Sequence, residues 1–332
     1  MVNVLPQVAV SQKNLGLELV RVTEAAALAS GRLMGRGDSE EVRRAAAEAM
    51  AGALGAVNMD ANLRVVVGGP DSAVMLKEGW TVSLGVGPAV DLAAGPLDGV
   101  SLVSRGLPGA IAMIAAAERG NMSLPACPYL EKIAVGASAR GAIDISDSVE
   151  NNLKRIAFAK EGRVSDLTVV ILDRPRHHLL LDETRQAGAR VSLITDGEVA
   201  AAIMAGMEDS GVDVVLGIGS AEDTTIAACA LKCLGGELVA RPWLRTPDEA
   251  AELEAGGMDP GQVFRIEDLA AGEEVVFAAT GVTDGPLLHG VRYHDRWAES
   301  ESLVMRSQSG SLRRISTKHH YAQSKDRARA IR

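Results

Sequence analysis

Pro88-Ala89-Val90-Asp91-Leu92-Ala93-Ala94-Gly95-Pro96-Leu97-Asp98-Gly99-Val100 reads as an apolar strand running into a Gly-Pro-Leu-Asp-Gly turn. Val90–Ala94 has the length and apolar bias of a buried strand, and Gly95, Pro96 and Gly99 punctuate its end. Asp98 is the carboxylate left in that turn. Further strands are predicted over Leu63–Val67, Trp80–Val86 and Ala110–Ala115, separated by Gly, Pro and Asp turns. Upstream, Leu15, Leu19, Val22, Ala26 and Leu33 fall near one stripe at helical spacing, and that helix stops at Gly35-Arg36-Gly37. A second helix over Glu40–Val57 begins behind Asp38 or Ser39 as N-cap, carries Glu40 and Glu41 in its first turn and buries Val42, Ala46, Ala49 and Leu54. The first half therefore reads as two helices covering a mostly antiparallel sheet.

From Ser146 the rhythm becomes helix and strand in turn. Helices are predicted over Val149–Ala159, His178–Gln186, Glu198–Met207 and Thr224–Leu234, with strands over Leu167–Leu172, Arg190–Ile194 and Val212–Leu216 between them. Near-continuous Val, Leu and Ile in those strands predict a parallel sheet buried on both faces, with ligands beyond the carboxyl ends of its strands. A boundary near residue 150 is expected, dividing 1–150 from 151–332.

A chain of 332 residues can support two cores, and 47% hydrophobic residues with only 3% aromatics means they are filled by Ala, Val, Leu and Met. The formal charge of −9 argues against a nucleic-acid partner. Cys127, Cys229 and Cys233 form no even-numbered framework, and Cys229 and Cys233, one helical turn apart among small residues, read as core. No signal peptide is expected in Met1–Leu15, and no apolar window is long enough for a membrane span, so a reducing cytoplasm is the expected location. From Val304 onward the chain is rich in Arg, Lys and His, which reads as a solvated basic tail or an anionic contact across an oligomer interface.

Three predicted strand ends carry polar signals: Asp173-Arg174-Pro175-Arg176-His177, Thr195-Asp196-Gly197-Glu198 and Gly217-Ile218-Gly219-Ser220-Ala221-Glu222-Asp223. Guanidiniums beside a rigid proline suit bidentate phosphate contact, and a glycine turn ahead of a helix offers backbone N–H groups at a positive dipole end. All three open on one edge of the sheet, which predicts a site for an anionic ligand.

The order and spacing of several segments resemble the class II fructose-1,6-bisphosphatases over nearly the whole chain. They are Val22-Thr23-Glu24-Ala25-Ala26-Ala27-Leu28-Ala29, Gly35-Arg36-Gly37-Asp38, Tyr129-Leu130-Glu131-Lys132, Arg174–His177, Asp196-Gly197, Gly217-Ile218-Gly219 and Ala279-Thr280-Gly281-Val282-Thr283. The Pro88–Val100 turn also resembles the Asp-Pro-x-Glu/Asp-Gly-Thr strand end of the lithium-sensitive sugar and inositol phosphatases. The resemblance implies a layered α-β-α-β-α sugar-phosphatase fold, like inositol monophosphatase and fructose-bisphosphatase. It also implies Mn²⁺ or Mg²⁺ dependence, a homo-oligomer (dimer or tetramer), and hydrolysis of the 1-phosphate of fructose 1,6-bisphosphate or sedoheptulose 1,7-bisphosphate in gluconeogenesis or the Calvin cycle.

Carried over by position, the resemblance implies metal ligands at Asp38, Asp98 and Asp223, with Asp98 also catalytic. Substrate contacts are implied at Asp98, Gly99, Tyr129, Arg174, Arg176, Asp196, Gly197, Glu198 and Ser220. The sequence departs from the family on the metal side. Gly95 stands for a bridging Asp and Val100 for the water-orienting Thr, while Gly68-Gly69-Pro70-Asp71 shortens a Gly-Glu-Gly-Glu run and removes both glutamates. Ser220 replaces a Gly and Asp223 a Glu. A two-ion centre needs carboxylates on both sides of a pair about 4 Å apart. Asp71 and Asp91 are the remaining aspartates that could help Asp38, Asp98 and Asp223 rebuild one site. Two readings follow: a metal-dependent sugar-bisphosphate phosphatase, and a catalytically silent paralogue that binds sugar phosphate or partners an active sister subunit.

Overall fold

The computed structural model describes residues 15–68, 76–82 and 87–320. The chain runs through α1 (Leu15–Ser30), α2 (Ser39–Leu54), β1 (Asp60–Val66), β2 (Thr81–Val82), β3 (Ala89–Asp98), α3 (Val100–Arg105), β4 (Ile111–Glu118) and β5 (Tyr129–Val135). The middle continues with α4 (Val149–Ala159), β6 (Thr168–Leu172), α5 (His178–Gln186), β7 (Arg190–Ile194), α6 (Glu198–Gly206), β8 (Val214–Ser220), α7 (Ala221–Leu234) and β9 (Glu237–Pro242). It closes with α8 (Pro247–Ala255), β10 (Phe264–Arg265), α9 (Ile266–Leu269), β11 (Val275–Gly281), β12 (Arg292–Tyr293), β13 (Trp297–Arg306) and β14 (Ser311–His320).

Two mixed sheets result. The first has the order β12-β13-β11-β4-β3-β1-β2, with β14 on the free side of β13; the second has the order β10-β9-β5-β8-β6-β7. Side-chain alternation sets which core each strand feeds. In β4, Ile111, Met113, Ala115 and Ala117 face the space between the sheets, while Ala112, Ile114 and Ala116 face α1 and α2. Helices α6 and α7 fill that space and are buried almost all round, which suits their nearly unbroken Ala, Val, Ile and Met composition. On the far side of the second sheet, Leu153 and Ile156 of α4 and Leu181 of α5 pack on Val169, Ile171 and Leu216. The layers therefore run helix, sheet, helix, sheet, helix, which is the expected architecture.

Several local expectations change. The second sheet is parallel only through β7, β6 and β8, because β5 inserts antiparallel between β8 and β9. Strands β1–β4 and β11–β14 together build the first sheet, and β5, upstream of residue 150, joins the second. The basic stretch from Val304 is no loose tail over its described part: residues 304–320 are the end of β13, the turn and β14 of one hairpin. Cys127, Cys229 and Cys233 are free and buried, and burial pushes the Cys229 thiol up to about 12, so they act as packing. Residues 83–86, Gly69-Pro70-Asp71 and the chain after His320 lie outside the described residues.

Candidate functional site: a guanidinium and carboxylate cleft

Asp98 ends β3 where Pro96 and a register shift between Gly95 and Asp98 break the pairing with β4. Its Oδ2 accepts the Val199 and Ala200 N–H groups at 3.1 and 3.2 Å, so it caps α6 across the layers. The residue before that helix, Gly197, has φ +85° and no side chain to serve the orphan donors. Burial, with Asp223 and Asp196 nearby, pushes the Asp98 carboxyl well above the usual carboxylate range, against the pull of the two N–H groups.

Asp223 lies in the first turn of α7. Ser220 caps that helix, accepting the Asp223 N–H at 2.9 Å and donating its hydroxyl to Asp223 Oδ2 at 2.8 Å. Asp223 Oδ1 is buried without a hydrogen-bond partner. Its carboxyl is also raised by burial, with the Ser220 bond and the Lys132 charge working against that.

Asp196 follows β7. Its Oδ2 accepts the Ser101 hydroxyl at 2.7 Å and its Oδ1 accepts the Gly197 N–H at 3.1 Å. Ser101 belongs to α3, and Ser39 reaches the same helix through a hydroxyl bond to Ser104 at 3.0 Å. Gly99, at φ +94°, opens α3 directly after Asp98.

On the second sheet, Tyr129 meets Trp243 edge-on with ring centroids 6.2 Å apart, and the Arg176 guanidinium lies 5.8 Å from the Tyr129 centroid. Arg176 Nε and Nη2 donate to the Ile218 carbonyl at 3.3 and 2.8 Å, which anchors the guanidinium at the carboxyl end of β8. Arg174 precedes Pro175 in the same turn and donates to the Asp173 carbonyl at 3.2 Å. His177 is fully buried beneath them. Its Nδ1–H donates to the Leu172 carbonyl and its Nε2 accepts the Ile218 N–H, both at 2.8 Å, which requires the neutral ring; burial lowers its pKa. Gly217 makes room, since a Cβ there would stand 3.3 Å from the imidazole. His177 is thus the strut that fixes the Arg174–Arg176 turn to β8.

Lys132 and Glu198 complete the centre as a buried ion pair. Lys132 also donates to Thr224 Oγ1 at 3.2 Å. The pair lies across Gly219, where any Cβ would collide with both charged groups. Sequence reading passed over Lys132. Its signal was a charged residue two places from Leu130, on the face of β5 that packs inward.

The structure thus brings Asp98, Asp196, Asp223, Glu198, Lys132 and Arg176 into mutual electrostatic reach, with Tyr129 beside Arg176. Asp38 stands at the N-terminus of α2, where Oδ1 accepts the Glu40 and Glu41 N–H groups, next to Ser39, which bonds α3. Asp91 is not part of the cleft. Near the start of β3, it accepts the Gly120 N–H at 2.8 Å and faces Arg119. An apolar cavity of about 400 Å³, walled by residues such as Leu102, Leu193, Met204 and Leu288, adjoins the cleft at Asp196 and Gly197 and includes neither Tyr129 nor Arg176.

Among the described residues the side chains do not assemble a two-ion centre. Among the described residues no three Asp, Glu, His or Cys side chains come together as a cation-ligand set. A carboxylate grown from Gly95 would meet Met113, whose Cε and Cγ stand 2.6 and 2.7 Å from a Cβ there. Val100, the first residue of α3, has no hydroxyl to orient a water.

A five-layer α/β fold with guanidiniums, a phenol and a carboxylate turn at the strand ends defines a protein of the sugar-phosphatase type. Comparison with known proteins sharpens this. Residues 13–319 match the family described as bacterial fructose-1,6-bisphosphatase, glpX-encoded. The chain is 39% identical over 330 residues to the D-fructose 1,6-bisphosphatase class 2/sedoheptulose 1,7-bisphosphatase of Synechococcus sp. (strain JA-2-3B'a(2-13)), covering 92% of this chain and 95% of the relative. It is 38% identical over 336 residues to the protein of the same description from Synechococcus elongatus, covering 93% and 97%. This chain belongs to the bacterial class II fructose-1,6-bisphosphatase family.

Proposed function

We propose that the protein binds a sugar bisphosphate, fructose 1,6-bisphosphate or sedoheptulose 1,7-bisphosphate, in this cleft. We further propose that it hydrolyses the 1-phosphate at a rate far below that of a complete two-ion centre. The observation that carries the reading is the meeting of Arg176, Tyr129 and the Asp196–Glu198 turn at the carboxyl ends of β7 and β8. Guanidinium forks take phosphate oxygens, and a carboxylate turn takes sugar hydroxyls. In this reading Arg174 and Arg176 hold a phosphate, Tyr129 packs on it, and Asp196, Gly197, Glu198 and Ser220 border the sugar. Asp98 and Gly99 close the reacting side.

A second reading, binding with no turnover, is favoured by one observation: Met113 occupies the space beside Gly95 that a bridging carboxylate would need. Losing such a group and the water-orienting hydroxyl costs orders of magnitude in rate. In either case the working form is proposed to be a homo-oligomer in the cytoplasm, or a hetero-oligomer with an active sister chain. The free cysteines, and β14, which pairs along one side only among the described residues, support this. Among the described residues no helix is long and apolar enough to cross a membrane.

Calorimetry of fructose 1,6-bisphosphate in EDTA tests the binding reading. Heat from a single site is expected at millimolar ligand or below, weakened tenfold or more in Arg176→Ala. No heat at millimolar ligand would overturn it.

A further inference from the structure

Among the described residues β6 and β8 pair only at Val169↔Val214 and Val170↔Val215, so the ladder between them opens toward the cleft, while β8 stays paired with β5 as far as Ser220. Buried backbone groups in such an opening must find other partners. His177, 0% exposed, fills it. A carbonyl only accepts and an amide N–H only donates, so the Leu172 carbonyl requires a proton on Nδ1 and the Ile218 N–H requires a bare Nε2, each at 2.8 Å. The ring is therefore held as the Nδ1–H tautomer. The Leu172 carbonyl also accepts the Arg174 N–H at 2.9 Å, and the Arg174 carbonyl accepts the His177 N–H at 2.9 Å, which ties the backbone of the turn to the same end of β6.

Two adjacent side chains thus take both polar groups of one residue: His177 accepts the Ile218 N–H, and Arg176 donates to the Ile218 carbonyl. That carbonyl occupies the Nε and Nη2 side of the guanidinium, and among the described residues no hydrogen bond engages Nη1. We propose that His177 is a positioning residue for phosphate: by holding Ile218 it fixes the carbonyl that takes the Nε side of Arg176, and so leaves the Nη1 and Nη2 end as the fork presented to the anion. A guanidinium already held in place loses less freedom when its ligand arrives. Burial, helped by the Arg176, Lys132 and Arg174 charges, holds the imidazole below its ordinary pKa against the pull of the Leu172 bond, so the neutral ring persists at pH 7.

This role rests on the cleft being a sugar-phosphate site, and the two can fail separately. Fructose 1,6-bisphosphate affinity is measured by calorimetry in EDTA at pH 7 on the full chain as wild type, His177→Phe, His177→Gln, Arg176→Ala and the double variant His177→Phe with Arg176→Ala. Nitrogen NMR of labelled histidine and arginine side chains is recorded on the same proteins without ligand. Phenylalanine keeps a ring and loses both bonds, whereas glutamine keeps one donor and one acceptor. His177→Phe should weaken binding tenfold or more and His177→Gln less than threefold. The double variant should bind within twofold of Arg176→Ala, because His177 acts through Arg176. The Arg176 Nε–H signal, assigned by its loss in Arg176→Ala, should be protected from solvent exchange in wild type and His177→Gln and unprotected in His177→Phe. A folded His177→Phe that keeps either the affinity or the protected signal overturns the role. A His177→Gln as weak as His177→Phe, or a further tenfold loss in the double variant, overturns it equally. If His177→Phe fails to fold, the wild-type imidazole decides: the role requires a protonated Nδ1 and a bare Nε2 at pH 7, and the opposite tautomer or a charged ring contradicts it. Absence of sugar-phosphate binding in wild type, with the nitrogen signals as expected, refutes the ligand and leaves the positioning of Arg176 in place.

Discussion

Asp98 shows how one side chain serves fold and site at once. It closes the N-terminus of α6 from a strand in another layer, and it does so as a buried carboxyl facing Asp223 and Asp196. Its pKa in the folded chain is raised above the unfolded value of 3.8, so the folded state holds the proton longer. The stability it contributes is therefore present below 3.8 and is lost as pH rises through the folded value. Asparagine resembles the protonated acid and keeps an oxygen for the α6 donors. Asp98→Asn should raise the thermal midpoint by a few degrees at pH 8, with the gain shrinking toward pH 4. A midpoint lowered at pH 8 would show that the charge itself is needed to cap α6. Gly95 is the opposite case. Gly95→Asp must displace Met113, and overpacking of this kind costs about 1–3 kcal/mol before the added charge is counted. Denaturant unfolding should show that loss and its partial recovery in Gly95→Asp with Met113→Ala. Neither variant should regain turnover, because Val100 and the altered Gly68–Asp71 segment remain.

At the scale of elements, the strand end of β8 does most of the positioning. Gly217 admits the His177 ring and Gly219 admits the Lys132–Glu198 pair, so alternate residues on one face of one strand receive the two buried polar groups of the site. Gly219→Ala should break the ion pair and destabilise the chain by about 3–5 kcal/mol, the range for splitting a buried pair. A change under 1 kcal/mol in urea unfolding would show that the pair tolerates displacement. The sequence made α1, α2 and β3 legible through apolar spacing and capping residues, and it made α6 and α7 legible as buried helices through their unbroken small apolar residues. It did not reveal that β5 inserts antiparallel between β8 and β9, since a Tyr-Leu-Glu-Lys-Ile strand is paired by partners about 90 and 110 residues later. Arg174, Arg176 and the Asp196 turn could be read because strand-end polar segments stand out locally. Lys132 and His177 could not, because their roles depend on what two distant glycines leave open.

At the scale of the whole molecule, the layers put the α6 and α7 N-termini between the two sheets. The first sheet delivers Asp98 to that interior, and the second delivers Lys132, Tyr129 and the arginines. The half carried by the second sheet holds the groups proposed to grip phosphate and sugar. The half carried by the first sheet has Gly95 and Val100 where the resemblance implies oxygen ligands, and Met113 packs beside Gly95. Among the described residues β14, with Arg313, Arg314 and Lys318, pairs only with β13. Phosphate release from fructose 1,6-bisphosphate by purified protein in Mg²⁺ and then Mn²⁺, with Asp98→Asn as the control, tests the separation of binding from chemistry most directly. Turnover orders of magnitude below the common range of about 1–10³ s⁻¹ is expected, alongside retained ligand binding. Robust wild-type turnover within that range, abolished by Asp98→Asn, would contradict it and show that the surviving aspartates rebuild a working metal centre.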